Sequence, residues 1–255
     1  MSETKSVATV PATKYRRLLT FTYALLGVCA ILGVSLIAQS TREPTAPTAA
    51  ESDTAESESE NSQRSFLAAL VRNTPNDPMA LGRPDAPVTL IEWTDMRCPF
   101  CAVYSRDTMP QIVKEYVDAG KLRIEINDVA FFEEQSVDAA VAARAAGNQG
   151  KYFEYIETLY AAAPESGHPD MPKDKLMGFA QAAGVPDLAR FETDLADPQL
   201  RSAVLTSTAD AQQIGVKSVP YFVAGDITMA GAQPLENFRE FIEAALAKAE
   251  PADKK

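Results

Sequence analysis

Residues 87–104 read PVTLIEWTDMRCPFCAVY, and the fold follows from how this stretch divides. Pro87 to Trp93 is short and mostly apolar, carries the β-branched Val88, Thr89 and Ile91, and follows the turn-forming GRPDAP, so it reads as a buried strand. Directly after it stand Cys98 and Cys101, two of the chain's three cysteines. On a helix that spacing puts both sulfurs on one side, close enough to bridge. Pro99 suits the first helical position, where its missing N–H had no partner to lose. Cys98 then meets unpaired backbone N–H groups and the positive end of the helix dipole, which favour thiolate over thiol. The stretch predicts Cys98 as an exposed nucleophile, Cys101 one turn deeper as the resolving thiol, and a helix over 102–119 bent at Pro110.

Two blander uses of the pair are weaker. A zinc half-site shares the spacing but needs four ligands, and only Cys29, within an apolar run, and His168, alone in a Pro/Gly loop, remain. No metal is therefore expected. A structural staple closing so short a loop removes little chain entropy. Redox use is the better reading.

The rest of the chain sets the context. It has 255 residues with net charge −11, enough for one well-buried domain and too acidic to favour nucleic acid or anionic headgroups. Residues 18–38, LLTFTYALLGVCAILGVSLIA, form an uncharged run of about the ~20 residues that span a bilayer. Lys14, Arg16 and Arg17 precede it, which places a tail over 1–17 in the cytoplasm and the bulk outside, a single-pass protein of the cell membrane. The alternative is a signal that is cleaved to release a secreted domain, although such signals have a shorter apolar core of ~7–15 residues. Residues 39–64, rich in Ser, Thr, Pro and Glu, read as a disordered acidic linker. The folded domain is expected over 65–250, with a disordered tail at 251–255.

Within that domain KLRIEIN (121–127) alternates as a second strand, with Leu122, Ile124 and Ile126 on one face. Helical spacing punctuated by Gly and Pro occupies about 133–213. PYFVAGD and ITMAG form a hairpin turning at Gly225-Asp226, and a last helix aligns Leu235, Phe238, Ile242 and Ala245. The fold class is α/β: a mixed β-sheet flanked by helices, with an inserted all-helical subdomain.

TLIEW leading into Cys98-Pro99-Phe100-Cys101, then a helical insert, then GVKSVPYFVAGD together resemble the DsbA-like thiol–disulfide oxidoreductases of the thioredoxin superfamily, over about Ala80 to Leu246. The resemblance implies a thioredoxin fold and a redox-active Cys98-Cys101 pair with no bound cofactor. It makes Pro220 the cis-proline beside the cysteines, and Pro99, Phe100, Val219, Pro220 and Tyr221 the substrate-binding residues. Val219 resembles the oxidases rather than the disulfide isomerases, which tend to have Thr there. Glu92, six residues before Cys98, matches the family's buried acid. A carboxylate on an apolar strand is costly unless paired or protonated, so a raised pKa would suit it to relay protons to Cys101. Trp93 and Phe222 are assigned to packing.

The sequence departs from the pattern at Phe100, where the oxidases carry His, so one positive group near the thiolate is missing. The function implied is an extracytoplasmic oxidase that introduces disulfides into unfolded exported proteins with cysteines. It would act as a monomer and be reoxidised by a membrane partner such as a DsbB or vitamin K epoxide reductase-like protein. The alternatives are a reductase, for example in cytochrome c maturation, and a non-catalytic tethered binding module with a structural disulfide.

Overall fold

The computed structural model describes Ser62 and residues 65–249. The expected cytoplasmic tail (1–17), apolar anchor (18–38) and C-terminal tail (251–255) and, apart from Ser62, the expected linker (39–64) lie outside them. Among the described residues no helix is long and apolar enough to cross a membrane.

Five strands form one mixed sheet in the order β1-β3-β2-β4-β5. β2 (Val88–Thr94) and β3 (Leu122–Asp128) run parallel at its centre, pairing Leu90 with Ile124 and Glu92 with Ile126. Both are buried along most of their length, as central parallel strands require. β4 (Tyr221–Ala224) lies antiparallel to β2, and β5 (Ile227–Ala230) returns beside it through a turn at Gly225, whose φ of 61° suits glycine. β1 (Ala80–Leu81), too short to show in the sequence pattern, caps the other edge. Gly82 follows it with φ 96°; a Cβ there would meet the Leu122 carbonyl oxygen at 2.7 Å.

After β2 the chain turns into α1 (Pro99–Val103), with Cys98 at the N-cap and Pro99 at the first turn. This is the helix start that Pro99 predicted, with the helical run over 102–119 continuing from it. It continues through a π-helical turn (Tyr104–Thr108), α2 (Met109–Ile112) and a second π-helical turn (Val113–Val117). Pro110 sits at the start of α2, where a missing N–H is tolerated, and the wider turn precedes it.

Five helices follow: α3 (Glu134–Gly147), α4 (Tyr152–Ala161), α5 (Lys173–Ala182), α6 (Leu188–Asp194) and α7 (Pro198–Gln213). α3 is buried nearly all round, and its alanines at 139, 140, 142, 143, 145 and 146 let the other four pack close. Arg144 on α3 pairs with Asp128 at the end of β3, fastening this subdomain to the sheet. α8 (Leu235–Ala249) covers the sheet with Phe238 and Ile242; Phe238 meets Tyr104 and Phe222, each at 4.9 Å between ring centres.

The polar face of β3 is not solvated. Arg123 and Glu125 are both buried, and Glu125 accepts Arg123 Nε (2.9 Å) and the backbone N–H groups of Arg72 (2.8 Å) and Asn73 (3.0 Å). The segment before β1 lies over this face and neutralises it by hydrogen bonding, as a buried carboxylate demands.

Candidate active site

The cysteine pair is set where β2 hands over to α1. Cys98 N–H bonds the Asp95 carbonyl (3.0 Å), closing a tight turn between strand and helix. Cys98 and Cys101 are free thiols. Cys98 is only 3% exposed, so it is not the projecting nucleophile expected. The cause is Val219, whose carbonyl accepts from Cys98 Sγ at 3.5 Å and closes over the sulfur. Access is from one side, where Cys98 lines a cleft of about 800 Å³ with Pro99, Phe100, Phe132, His168 and Val219. Phe100 projects beside it, 64% exposed. Cys101 is fully buried beneath.

The two thiols are driven apart electrostatically. The Cys101 thiol hydrogen-bonds the Cys98 sulfur and favours its ionised form, burial opposes, and the Cys101 and Phe100 backbone N–H groups add to the stabilisation. The Asp95 charge works weakly against it, and the net result is a lowered Cys98 pKa. Cys101 is pushed well above the ordinary thiol range by burial first and by Cys98 second.

The Val219-Pro220 bond is cis. Val219 is thus against Cys98 and in the cleft wall, with Pro220 next to it. Tyr221 goes elsewhere: it lies in register with Trp93, their rings 6.0 Å apart on the opposite face of the sheet, and it does not line the cleft. Phe222 packs in the core between Tyr104 and Phe238.

Glu92 is 2% exposed, and burial raises its pKa to about 8. Its Oε2 has no hydrogen-bond partner among the described residues. Thr94, on the same face of β2, acts on both groups: its hydroxyl lowers the pKa of Glu92 and of Cys101. Thr94 Oγ1 also lies 2.8 Å from Tyr160 OH, which donates to the Asp95 carbonyl at 3.1 Å. A neutral carboxyl, a threonine hydroxyl and a buried thiol thus form one polar group beneath the cleft. Among the described residues no cluster of His, Cys, Asp and Glu could hold a metal ion.

Several residues at this site escaped sequence reasoning. Asp95 and Arg97, both buried, sit inside the strand-to-helix turn; two charges beside a buried strand were the available signal. Phe131 and Phe132 come from the end of the loop after β3. His168 comes from the loop between α4 and α5, and nothing local in its sequence links it to residue 98.

Comparison with known proteins places these features in context. The family model described as Thioredoxin matches residues 74–244. The chain is 24% identical over 168 residues to disulfide bond formation protein D of Bacillus subtilis, covering 65% of this chain and 76% of that protein. The crystal structure of α-DsbA1 from Wolbachia pipientis shares the fold, with a TM-score of 0.63 at 20% identity over 72% of this chain and 96% of that one. A thioredoxin-like oxidoreductase from Silicibacter pomeroyi is similar at 28% identity and a TM-score of 0.56, covering 70% and 96% of the two chains.

Proposed function

Because the chain belongs to the thioredoxin family, we propose that it catalyses thiol–disulfide exchange outside the cytoplasm, as an oxidase that introduces disulfide bonds into exported proteins. The single observation that carries this reading is the asymmetry of the pair: Cys98 opens on the cleft with a lowered pKa, while Cys101 is sealed beneath it with a raised one. The names of the similar proteins, disulfide bond formation protein D and thioredoxin-like oxidoreductase, point the same way.

A substrate thiolate attacks Cys98 Sγ of the oxidised pair. The Cys98–Cys101 bond breaks, a mixed disulfide forms at Cys98, and Cys101 leaves with the electron pair. Its raised pKa means that it takes up a proton, and neutral Glu92, which shares Thr94 as a neighbour with Cys101, is the proton source in this reading. A second substrate thiolate then attacks the substrate sulfur and expels Cys98 as a thiolate. Two substrate thiols are oxidised to one disulfide, and the Cys98/Cys101 pair is reduced. A low-pKa leaving thiol makes this direction favourable.

A membrane protein of the DsbB or vitamin K epoxide reductase-like kind is the expected reoxidant, and the apolar segment 18–38 the expected anchor. In this reading Val219, Pro99 and Phe100 receive the substrate chain at the cleft. A reductase remains the second reading on one observation: no cationic side chain is among the groups that lower Cys98, so its thiolate is stabilised less than in a pair carrying His at residue 100. Equilibration with glutathione decides. An oxidase pair stays largely reduced in a buffer that leaves a reductase pair bridged, and Cys101→Ala should trap many exported cysteine proteins rather than one maturation factor.

A further inference from the structure

Arg97 is buried beside the nucleophile, and its guanidinium bonds only backbone carbonyls of other loops. Nε donates to Pro169 O at 2.8 Å, Nη1 to Phe132 O at 2.5 Å and Nη2 to His168 O at 3.3 Å. Its own carbonyl accepts Nδ1–H of His168 at 3.2 Å, the only polarity a carbonyl allows. Above these bonds the Phe132 and His168 rings stack at 3.7 Å between centres, and both residues line the Cys98 cleft. Asp95 braces the same wall from below: it accepts Phe131 N–H at 2.7 Å, Ser136 Oγ–H at 2.9 Å and Arg97 N–H at 2.8 Å.

No carboxylate pairs with Arg97 among the described residues, yet burying a guanidinium is costly. A residue needed only to fill space here would be apolar. What the fork supplies is direction: three donors fixed in one plane, each to a different carbonyl on two loops 35 and 71 residues away in sequence. The largest influences on the sulfur are the Cys101 thiol, burial and the helix-start N–H groups rather than Arg97.

We infer that Arg97 is a positioning residue of the exchange site, pinning the loop after β3 and the α4–α5 loop so that Phe132 and His168 form a fixed lip over Cys98 for the incoming protein chain. The inference rests on the reading of Cys98 as a nucleophile toward protein substrates. A preformed wall spares the substrate the ordering of two loops on binding. A small dithiol touches no such wall, so the two substrate sizes separate the role.

The test compares full-length wild type with Arg97→Met, Arg97→Lys and His168→Ala in exchange with a cysteine-bearing peptide and with dithiothreitol. In Arg97→Met the peptide-to-dithiothreitol rate ratio should fall roughly tenfold, through KM, with the pH midpoint of Cys98 alkylation unmoved and faster amide exchange at 131–133 and 167–168. Lysine should restore little, since an ammonium cannot meet three divergent carbonyls. His168 is exposed, so His168→Ala tests the lip even if Arg97→Met fails to fold, and the ratio should fall several-fold. An unchanged ratio in His168→Ala, full rescue by lysine, or equal loss on both substrates overturns the inference. A wild type that exchanges with dithiothreitol but never with peptide instead overturns the functional reading beneath it.

Discussion

Cys98 Sγ lies 3.5 Å from the carbonyl oxygen of Val219, a residue 121 positions later, so the sulfur is covered by the segment that carries the cis peptide bond. A carbonyl can only accept, so this contact favours the thiol and is lost on ionisation. Cys98 is acidified despite it, chiefly by the Cys101 thiol. Cys101→Ala should therefore raise the pH midpoint of Cys98 alkylation relative to the reduced wild type. A midpoint that stays or falls would show that the backbone N–H groups dominate instead.

Glu92 should leave a signature in stability against pH. Its folded pKa of about 8 lies above the unfolded value of 4.5, so the folded state holds a proton that the unfolded state has released between those limits. Stability from this group is complete below pH 4.5, declines by ~1.4 kcal/mol per pH unit as pH rises, and is exhausted past 8. Glu92→Gln removes the slope. Urea unfolding of both proteins from pH 5 to 9 should show the variant gaining on wild type up to about pH 8 and then running level; parallel curves would place the carboxyl in contact with water or a cation.

Phe100 is the most exposed aromatic beside the pair, so Phe100→His should change unfolding free energy by no more than ~0.5 kcal/mol. An imidazolium there would add a positive charge near the sulfur and lower the Cys98 midpoint, shifting the glutathione equilibrium toward the reduced pair. Alkylation against pH and the glutathione equilibrium, measured on the same variant, should move together.

Glu125→Ala should be among the most damaging single changes remote from the cysteines. It strands the Arg123 guanidinium and two backbone N–H groups in a buried face, a loss of ~3–5 kcal/mol in urea unfolding. A cost below ~1 kcal/mol would mean that water reaches this face.

Much of this was legible because it is local. The run from Val88 to Thr94 states a buried strand, Cys98-Pro99 states a helix start, and the Gly225 turn states a hairpin; each is written within a few residues. Glu92 stood out as a charge on an apolar strand, and its raised pKa follows from that burial. What stayed hidden depends on segments far apart in sequence. The polar face of β3 is covered by residues 72 and 73, and the cleft is roofed by loops near 132 and 168 that Arg97 ties together. Tyr221 was misplaced by its neighbour: period-two alternation after Pro220 turns it to the Trp93 face.

The most direct test of the account is ultraviolet absorbance of the reduced protein near 240 nm, titrated against pH. In a Cys29→Ser background it should show one thiolate appearing clearly below the free-cysteine pKa of ~8.5, lost in Cys98→Ser, and a second beyond the ordinary thiol range. Both thiols ionising together near 8.5 or above would contradict it.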